Sequence, residues 1–122
     1  MKRGEVWTVS GGADYASKPR PAVIVQGDRF DATNSITICP MTSSDPSTRW
    51  ARQAIEPSIL NGLTRPSKLM VDKITTVPKS KLRDQIGRLS DEDIARLNQA
   101  LLVFLGLATP VRATNFTETP HE

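Results

Sequence analysis

An arginine set between two prolines is the first group in the sequence that is suited to binding a phosphate. Arg20 lies between Pro19 and Pro21 and directly before an apolar run. Proline restricts its own backbone and that of the residue before it, so the guanidinium is held at the start of the run. Guanidinium matches phosphate as a two-pronged donor and stays charged. From this pattern alone, a solvated arginine at the end of a loop is the more common outcome.

A run of hydroxyl side chains is the second such feature. Thr42, Ser43 and Ser44 follow a predicted strand at 35–41, so their hydroxyls would lie at the end of a sheet. Hydroxyls placed there can bind phosphate oxygens or a ribose. Serine and threonine also favour turns for purely local reasons, and the spacing alone favours that interpretation. The arginine and the hydroxyls carry more weight together than either does alone.

Several other residues are candidates for contact with a nucleic acid. Trp50 lies in a predicted loop beside Arg49 and Arg52, where it could stack on a base. Trp7 lies within an alternating segment and is more typical of a core. Lys79 belongs to a group of basic residues that could line a groove, although such groups are more often simply solvated.

Composition limits the class of protein. The chain has 122 residues, of which 38% are hydrophobic and 24% are charged, values that are usual for one globular domain. Lysine and arginine number 16 and aspartate and glutamate 13, which gives a formal net charge of +3. The basic excess lies within residues 1–89, whereas the last third is net acidic. A basic body indicates a polyanionic partner.

The scarcity of cysteine and histidine excludes several kinds of site. Cys39 is the single cysteine and His121 the single histidine, so an internal disulfide and a cysteine-based zinc site are excluded. His121 is next to last in the sequence, and we therefore expect any enzyme activity to work without histidine. A Gly-rich phosphate loop, a membrane-spanning run and a signal peptide are also missing from the sequence. We expect a cytoplasmic protein with no cofactor and no metal.

Short strands separated by turn residues are the elements that must position these groups. Alternating or apolar segments predict strands at 5–10, 21–25, 35–41, 52–57 and 67–77, the last of them bent. The run at 21–25 is apolar throughout and is typical of a strand buried on both faces. Asn61 and Gly62 indicate a tight turn, and residues 78–82 could form one helical turn.

One amphipathic helix follows the strands. Ser90 is a good N-cap, and acidic residues at 91–93 suit the positive end of a helix. An apolar stripe repeats every three to four residues and consists of Ile94, Leu97, Leu101 and Leu105, widened by Leu102 and Phe104. Residues 109–122 are rich in threonine, proline and glutamate and predict a mobile tail, which leaves one domain at 1–108. The pattern predicts a mainly β protein, a small, strongly curved sheet or partly open barrel covered by the C-terminal helix.

A series of short motifs, in this order and spacing, resembles the MazF/PemK family of bacterial toxins, also called the Kid family. The matching segments are 2–7, 18–25, 39–43, 69–74 and 86–90. With the closing helix they cover about residues 2–107. The resemblance implies an SH3-like barrel of the kind shared by the MazF and CcdB toxins, assembled as a homodimer.

The resemblance also implies a function. It implies a toxin of a type II toxin–antitoxin system that cleaves single-stranded RNA at short sequences without metal and so stops translation and growth. The RNA's own 2′-OH would be the nucleophile, and the products would be a 2′,3′-cyclic phosphate and a 5′-OH. A cognate antitoxin would occupy the RNA groove with a disordered tail, and DNA would be contacted only through that antitoxin. We expect no membrane partner.

The family's catalytic residues can be placed on this sequence. The arginine of its R-P-A-V motif falls on Arg20, and the threonine of its P-x-T motif falls on Thr42. The aspartate of the Kid-type motif falls on Asp72, while the arginine that precedes it by two residues in Kid-type members is Met70 here. The acidic residue of the first loop falls nearest to Asp14.

The predicted roles follow from the chemistry of RNA cleavage. Arg20 would stabilise the charge that develops on the phosphate, Thr42 would hydrogen-bond the phosphate, and Asp14 or Asp72 would be the base. The residues predicted to bind RNA around them are Lys18, Ser43, Arg49, Trp50, Arg52 and Lys79.

Two other functions are compatible with such a fold. A CcdB-type toxin binds DNA gyrase without catalysis and needs an aromatic-containing C-terminus on its last helix, whereas residues 118–122 contain none. A nonenzymatic RNA-binding module with an SH3-like barrel would differ from the toxin only in activity. The combination of Arg20 and Thr42 favours RNA cleavage.

Overall fold

The alternating segments form one antiparallel sheet in the computed structural model, which describes residues 1–10, 19–44 and 52–109. Its strands are β1 (Glu5–Val9), β2 (Arg20–Ile24), β3 (Ser35–Thr42), β4 (Ala54–Ile55), β5 (Ser67–Leu69), β6 (Thr75–Pro78) and β7 (Leu82–Arg88). Their order across the sheet is β4-β5-β3-β2-β1-β7, and β6 pairs with β3 off this path. The sheet curls into a half-barrel with one C-terminal helix, which confirms the predicted fold class.

The long third strand holds the sheet together. One edge of β3 pairs with β2, while its other edge pairs with β6 over residues 35–38 and with β5 at residues 41–42. Because two strands share one edge of β3, the sheet bends between them. The end of β3 at Thr42 therefore lies where both β2 and β5 begin.

Three elements differ from the sequence prediction. The segment 67–77 is broken into β5 and β6 by a 3₁₀ turn at Val71–Lys73, and the strand expected at 52–57 is only the two residues of β4. By contrast, the single helical turn expected at 78–82 is present as a 3₁₀ turn at Lys79–Lys81. β7 was missed because it is mostly exposed and its pairing with β1 is irregular, which removes the alternation that marks a strand.

The core is divided between the two faces of the sheet. Val23, Cys39 and Met41 pack with the helix on one face. The other face buries a second cluster composed of Val9, Ala22, Ile24, Ile36, Ile38 and Leu82. Successive residues of β2 thus belong to opposite clusters, and this confirms the prediction of a strand buried on both faces.

The helix α1 (Asp91–Phe104) begins and ends as its capping residues predict. The Ser90 hydroxyl accepts a hydrogen bond from the backbone N–H of Asp93 at 3.1 Å. Beyond the helix, Gly106 has a φ of +78°, and the N–H of Leu107 donates to the carbonyl of Leu102 at 2.8 Å. This is a Schellman ending, which needs a residue that tolerates positive φ. No helix among the described residues is long and apolar enough to cross a membrane.

The apolar stripe of α1 is only half covered. Leu97 and Ala100 are fully buried, and Ile94 and Leu101 are partly buried. The C-terminal part of the stripe is exposed, and it comprises Leu102, Phe104, Leu105 and Leu107. We call these four residues the apolar patch. The predicted tail lies outside the described residues from position 110 onward, and the boundary at 108 stays a prediction.

Candidate active site

Arg20 lies at the mouth of an open cavity of about 550 Å³. It is the first residue of β2, exposed, and followed in the strand by Pro21. Hydroxyl groups from three separate parts of the chain line the same cavity, and they belong to Thr8, Ser43, Ser44, Thr64 and Ser67. No aspartate or glutamate of the described residues lines it. A guanidinium surrounded by hydroxyls is a favourable environment for a phosphate.

The register of the sheet brings Arg20 and Thr42 together. Antiparallel β2 and β3 pair Ala22 with Pro40, so the same register continued by two residues places Arg20 opposite Thr42. On its other edge Thr42 pairs with Lys68 of β5. Directly opposed residues in a sheet have Cβ atoms about 5 Å apart. Thr42 therefore opposes Lys68 of β5, and the β2–β3 register, if it continued beyond Ala22, would bring Arg20 to its other side.

The Thr42 hydroxyl is oriented by the segment that follows it. Its oxygen accepts a hydrogen bond from the backbone N–H of Ser44 at 3.3 Å and lies 3.3 Å from the Ser44 hydroxyl. Ser43 and Ser44 are exposed and line the cavity, whereas Thr42, which precedes them in β3, is half-buried. Arg20, Ser43 and Ser44 thus line one cavity, and the catalytic roles of Arg20 and Thr42 stay predictions.

Asp72 lies beside Arg52 in a buried ion pair. The Nε of Arg52 donates to one carboxylate oxygen of Asp72 at 2.8 Å, and its second nitrogen donates to the other at 3.0 Å. Arg52 is only 8% exposed. The sequence predicts that Arg52 binds RNA, whereas the structure buries its guanidinium against the carboxylate of Asp72, in the turn after β5. Kid-type members have an arginine at the position of Met70. In this protein the guanidinium that pairs with the Asp72 carboxylate comes from Arg52.

Lys79 is not part of the cavity. Its ammonium contacts the carboxylate of Asp31 at 2.8 Å and the Asp31 carbonyl at 2.7 Å. The hydrogen bond from the Lys79 ammonium to the Asp31 carboxylate lowers the pKa of that carboxyl group. The pair lies near the start of β3, where Ser35 opposes Pro78, so the length of β3, roughly 23 Å, separates it from Thr42.

The other predicted site residues cannot be placed. Asp14, Lys18, Arg49 and Trp50 lie outside the described residues, and their roles stay predictions. The roles of Asp72 as a base and of Ser43 as an RNA contact are likewise predictions.

Sequence reasoning missed several residues that the sheet brings to the cavity. Thr8, Thr64 and Arg65 line it, and Lys68 opposes Thr42. Their positions depend on the pairing of β1 with β2 and of β3 with β5, which no local pattern reveals. Trp7 packs against the second core cluster, and its indole N–H donates to Glu5 at 2.9 Å, in line with its interpretation as a core residue.

The single cysteine of the sequence lies in the core and not in the cavity around Arg20. Cys39 is fully buried, and its burial raises the pKa of the thiol to about 12. It is the small apolar core residue that the sequence predicts. The described residues contain no group of three histidine, cysteine, aspartate or glutamate side chains that could hold a metal ion.

Comparison with known proteins identifies the family. A family model described as PemK-like, MazF-like toxin of type II toxin–antitoxin systems matches residues 2–105. The chain belongs to this family. A Mycolicibacterium smegmatis protein named "Probable endoribonuclease MazF" is 49% identical over 108 residues, which cover 88% of this chain and 99% of that protein. Endoribonuclease MazF9 of Mycobacterium tuberculosis is 32% identical and covers 88% of this chain and 98% of that protein.

A solved structure supports the same family. An endoribonuclease from a mycobacterial species, in complex with its cognate antitoxin, has a TM-score of 0.74 and 27% identity, and covers 90% of this chain and 99% of that one. These relatives favour neither the gyrase-binding function nor the nonenzymatic RNA-binding function.

Proposed function

We propose that this chain is the endoribonuclease toxin of a type II toxin–antitoxin system and that it cleaves single-stranded RNA at short sequences without metal. The family match over residues 2–105 and relatives that are named endoribonucleases support the activity. The observation that supports the site is one cavity lined by Arg20 at the start of β2 and by Ser43 and Ser44, which directly follow Thr42 at the end of β3.

The proposed reaction uses a nucleophile that RNA already contains. A base removes the proton of the 2′-OH, whose oxygen attacks the adjacent phosphorus. The bond to the 5′ oxygen of the next nucleotide breaks, and that oxygen takes up a proton from solvent water. The guanidinium of Arg20 stabilises the charge that accumulates on the phosphate oxygens. Thr42 donates a hydrogen bond to one of these oxygens. The products are a 2′,3′-cyclic phosphate and a 5′-OH.

The base in this proposal is Asp14 or Asp72. The carboxylate of Asp72 accepts two hydrogen bonds from Arg52, and such bonds stabilise the charged form of an acid and weaken it as a base. Asp72 does not line the cavity around Arg20. Both observations favour Asp14 as the base and a positioning role for Asp72.

The proposed partners follow from the family and the surface. The complex of a similar mycobacterial endoribonuclease with its cognate antitoxin supports a cognate antitoxin for this chain, which would also mediate contact with DNA. The apolar patch on α1 supports a homodimer, because a second copy could cover it. Action on messenger RNA would place the protein in the cytoplasm.

The test of this function is cleavage of a long, defined RNA by the purified protein in EDTA, with all cut sites mapped. We expect cuts at a short recurring sequence and ends that carry a cyclic phosphate. A matched RNA with one 2′-deoxynucleotide at the cut position should resist cleavage, because its nucleophile is missing. Loss of cleavage in EDTA, or cutting of the deoxy-substituted RNA, would contradict the mechanism.

A further inference from the structure

A rigid segment between β4 and β5 forms one wall of the cavity. The buried side chain of Asn61 fixes this segment: its oxygen accepts hydrogen bonds from the backbone N–H groups of Ser58 at 2.9 Å and Leu63 at 3.0 Å. Its amide nitrogen donates to the carbonyl of Glu56 at 2.9 Å. Asn61 is 2% exposed, so these bonds are shielded from water and hold one conformation.

The segment is also held firmly against the sheet. A Cβ atom on Gly87 of β7 would overlap the backbone of Leu60 and Asn61, and a Cβ on Gly62 would overlap the backbone of Ile86. The N–H of Arg88 donates to the carbonyl of Leu60 at 2.9 Å. Backbone therefore packs directly on backbone, and the wall of the cavity cannot shift without breaking this contact.

Arg65 extends from this fixed wall into the cavity that contains Arg20. It is exposed, and its carbonyl accepts a hydrogen bond from the Ser67 hydroxyl at 3.0 Å, which fixes the backbone next to it. Among the described residues, its guanidinium has no hydrogen-bond or ion-pair partner. An arginine that is held at its backbone and unpaired at its head is available for an anionic ligand.

We infer that Arg65 binds an RNA phosphate next to the one that is cleaved, so that the cavity grips the backbone of the substrate at two points. This inference rests on the proposed function. Among the described residues that line the cavity are two arginines and several hydroxyl side chains, which suit a phosphate. None of these lining residues has the carboxylate or amide side chain that often contacts base edges. In this inference the guanidinium of Arg65 contacts a phosphate and not a base edge, so it positions the RNA without selecting its sequence.

The test compares Arg65→Gln with Arg29→Gln, which removes the same charge. Arg29 is exposed, stacks on the Phe30 ring at 5.5 Å and lies beyond the far end of β2 from Arg20. Binding to an RNA that carries 2′-deoxynucleotides at its cut sites is measured across a range of salt concentrations. We expect Arg65→Gln to weaken binding at low salt by about tenfold or more, equally for RNAs of different sequence. The slope of log K against log salt should fall by about 0.7, the value for one phosphate of a single strand.

Arg29→Gln should leave both quantities close to those of the parent protein, and Arg65→Lys should keep the parent slope. An unchanged slope in Arg65→Gln, while the parent protein binds and cleaves RNA, overturns the role of Arg65 but leaves the proposed function intact. A loss confined to RNAs with one particular base also overturns it, since the residue would then read sequence. A parent protein that neither binds nor cleaves RNA overturns both.

Discussion

The partly buried ion pair between Arg52 and Asp72 should couple these two side chains strongly, so that removing one charge alone is costly. Two unit charges about 4 Å apart attract each other by about 4 kcal/mol at the effective dielectric constant of about 20 that suits protein sites. The Arg52 side chain is 6% exposed and that of Asp72 is 23% exposed, so water screens only one partner. We therefore expect a coupling free energy of about 2–4 kcal/mol between the two side chains.

A double-mutant cycle measures this coupling. Arg52→Met keeps the volume of the side chain and Asp72→Asn keeps its shape, and the double variant removes both charges. Each single change leaves one poorly solvated charge and should lower the free energy of unfolding by about 3–5 kcal/mol. The double variant should lose less than the sum, because no uncompensated charge remains. Denaturant unfolding at one fixed protein concentration gives the four free energies.

The control for this cycle is the exposed pair of Arg96 and Asp93 on α1, whose atoms are 3.3 Å apart. Its cycle should give about 0.3–0.5 kcal/mol, as is usual for exposed pairs within a helix. If the Arg52–Asp72 cycle gives a coupling free energy as small as this, the ion pair does not hold the turn that carries Asp72. If Asp72→Asn is as stable as the parent but cleaves RNA at least a hundredfold more slowly, Asp72 is the base and not a positioning residue.

Three further predictions concern packing, pH and assembly. Gly87→Ala should unfold or severely destabilise the protein in thermal denaturation, since its Cβ would overlap the backbone of Leu60, whereas Gly27→Ala, with only ordinary contacts, should change stability by less than about 1 kcal/mol. The pKa of Cys39 is raised from 9.0 to about 12, so the folded state keeps a proton that the unfolded chain loses. Stability measured in urea should fall as pH rises above 9, and a Cys39→Ala variant should fall less steeply; equal slopes would contradict this. Phe104→Glu, in the apolar patch, should shift sedimentation from dimer toward monomer, and a parent protein that is monomeric at micromolar concentration would refute the homodimer.

The sequence predicts the elements whose hydrophobic pattern is strong. β1, β2, β3 and the helix were located within a residue or two, because their alternation, apolar runs and caps reflect local burial. β7 was missed because it is irregularly paired and mostly exposed. The sequence predicts one bent strand at 67–77, where the structure has two strands, β5 and β6. Nothing in the local sequence reveals that both pair with the same edge of β3.

The candidate site, like the fold, could be predicted from the sequence only in part. The Pro-Arg-Pro segment and the family motifs predict Arg20 and Thr42 as site residues from local sequence alone, and their catalytic roles stay predictions. The cavity wall that carries Arg65 could not be predicted, because it depends on backbone contact between Gly62 and β7, far apart in sequence. Arg52 was assigned to RNA from its charge and its neighbours, and only the three-dimensional arrangement reveals its buried partner.

The most direct test of the central claim is single-turnover cleavage by Arg20→Lys at saturating enzyme, beside its binding to a deoxy-substituted RNA. Lysine keeps the charge but loses the planar fork, so the cleavage rate should fall by about 10²–10³, or roughly 3–4 kcal/mol, while RNA binding changes little. Thermal stability should move by no more than about 0.5 kcal/mol, since the residue is exposed. A variant that cleaves at the parent rate would contradict the assignment of Arg20 as the group that stabilises the transition state.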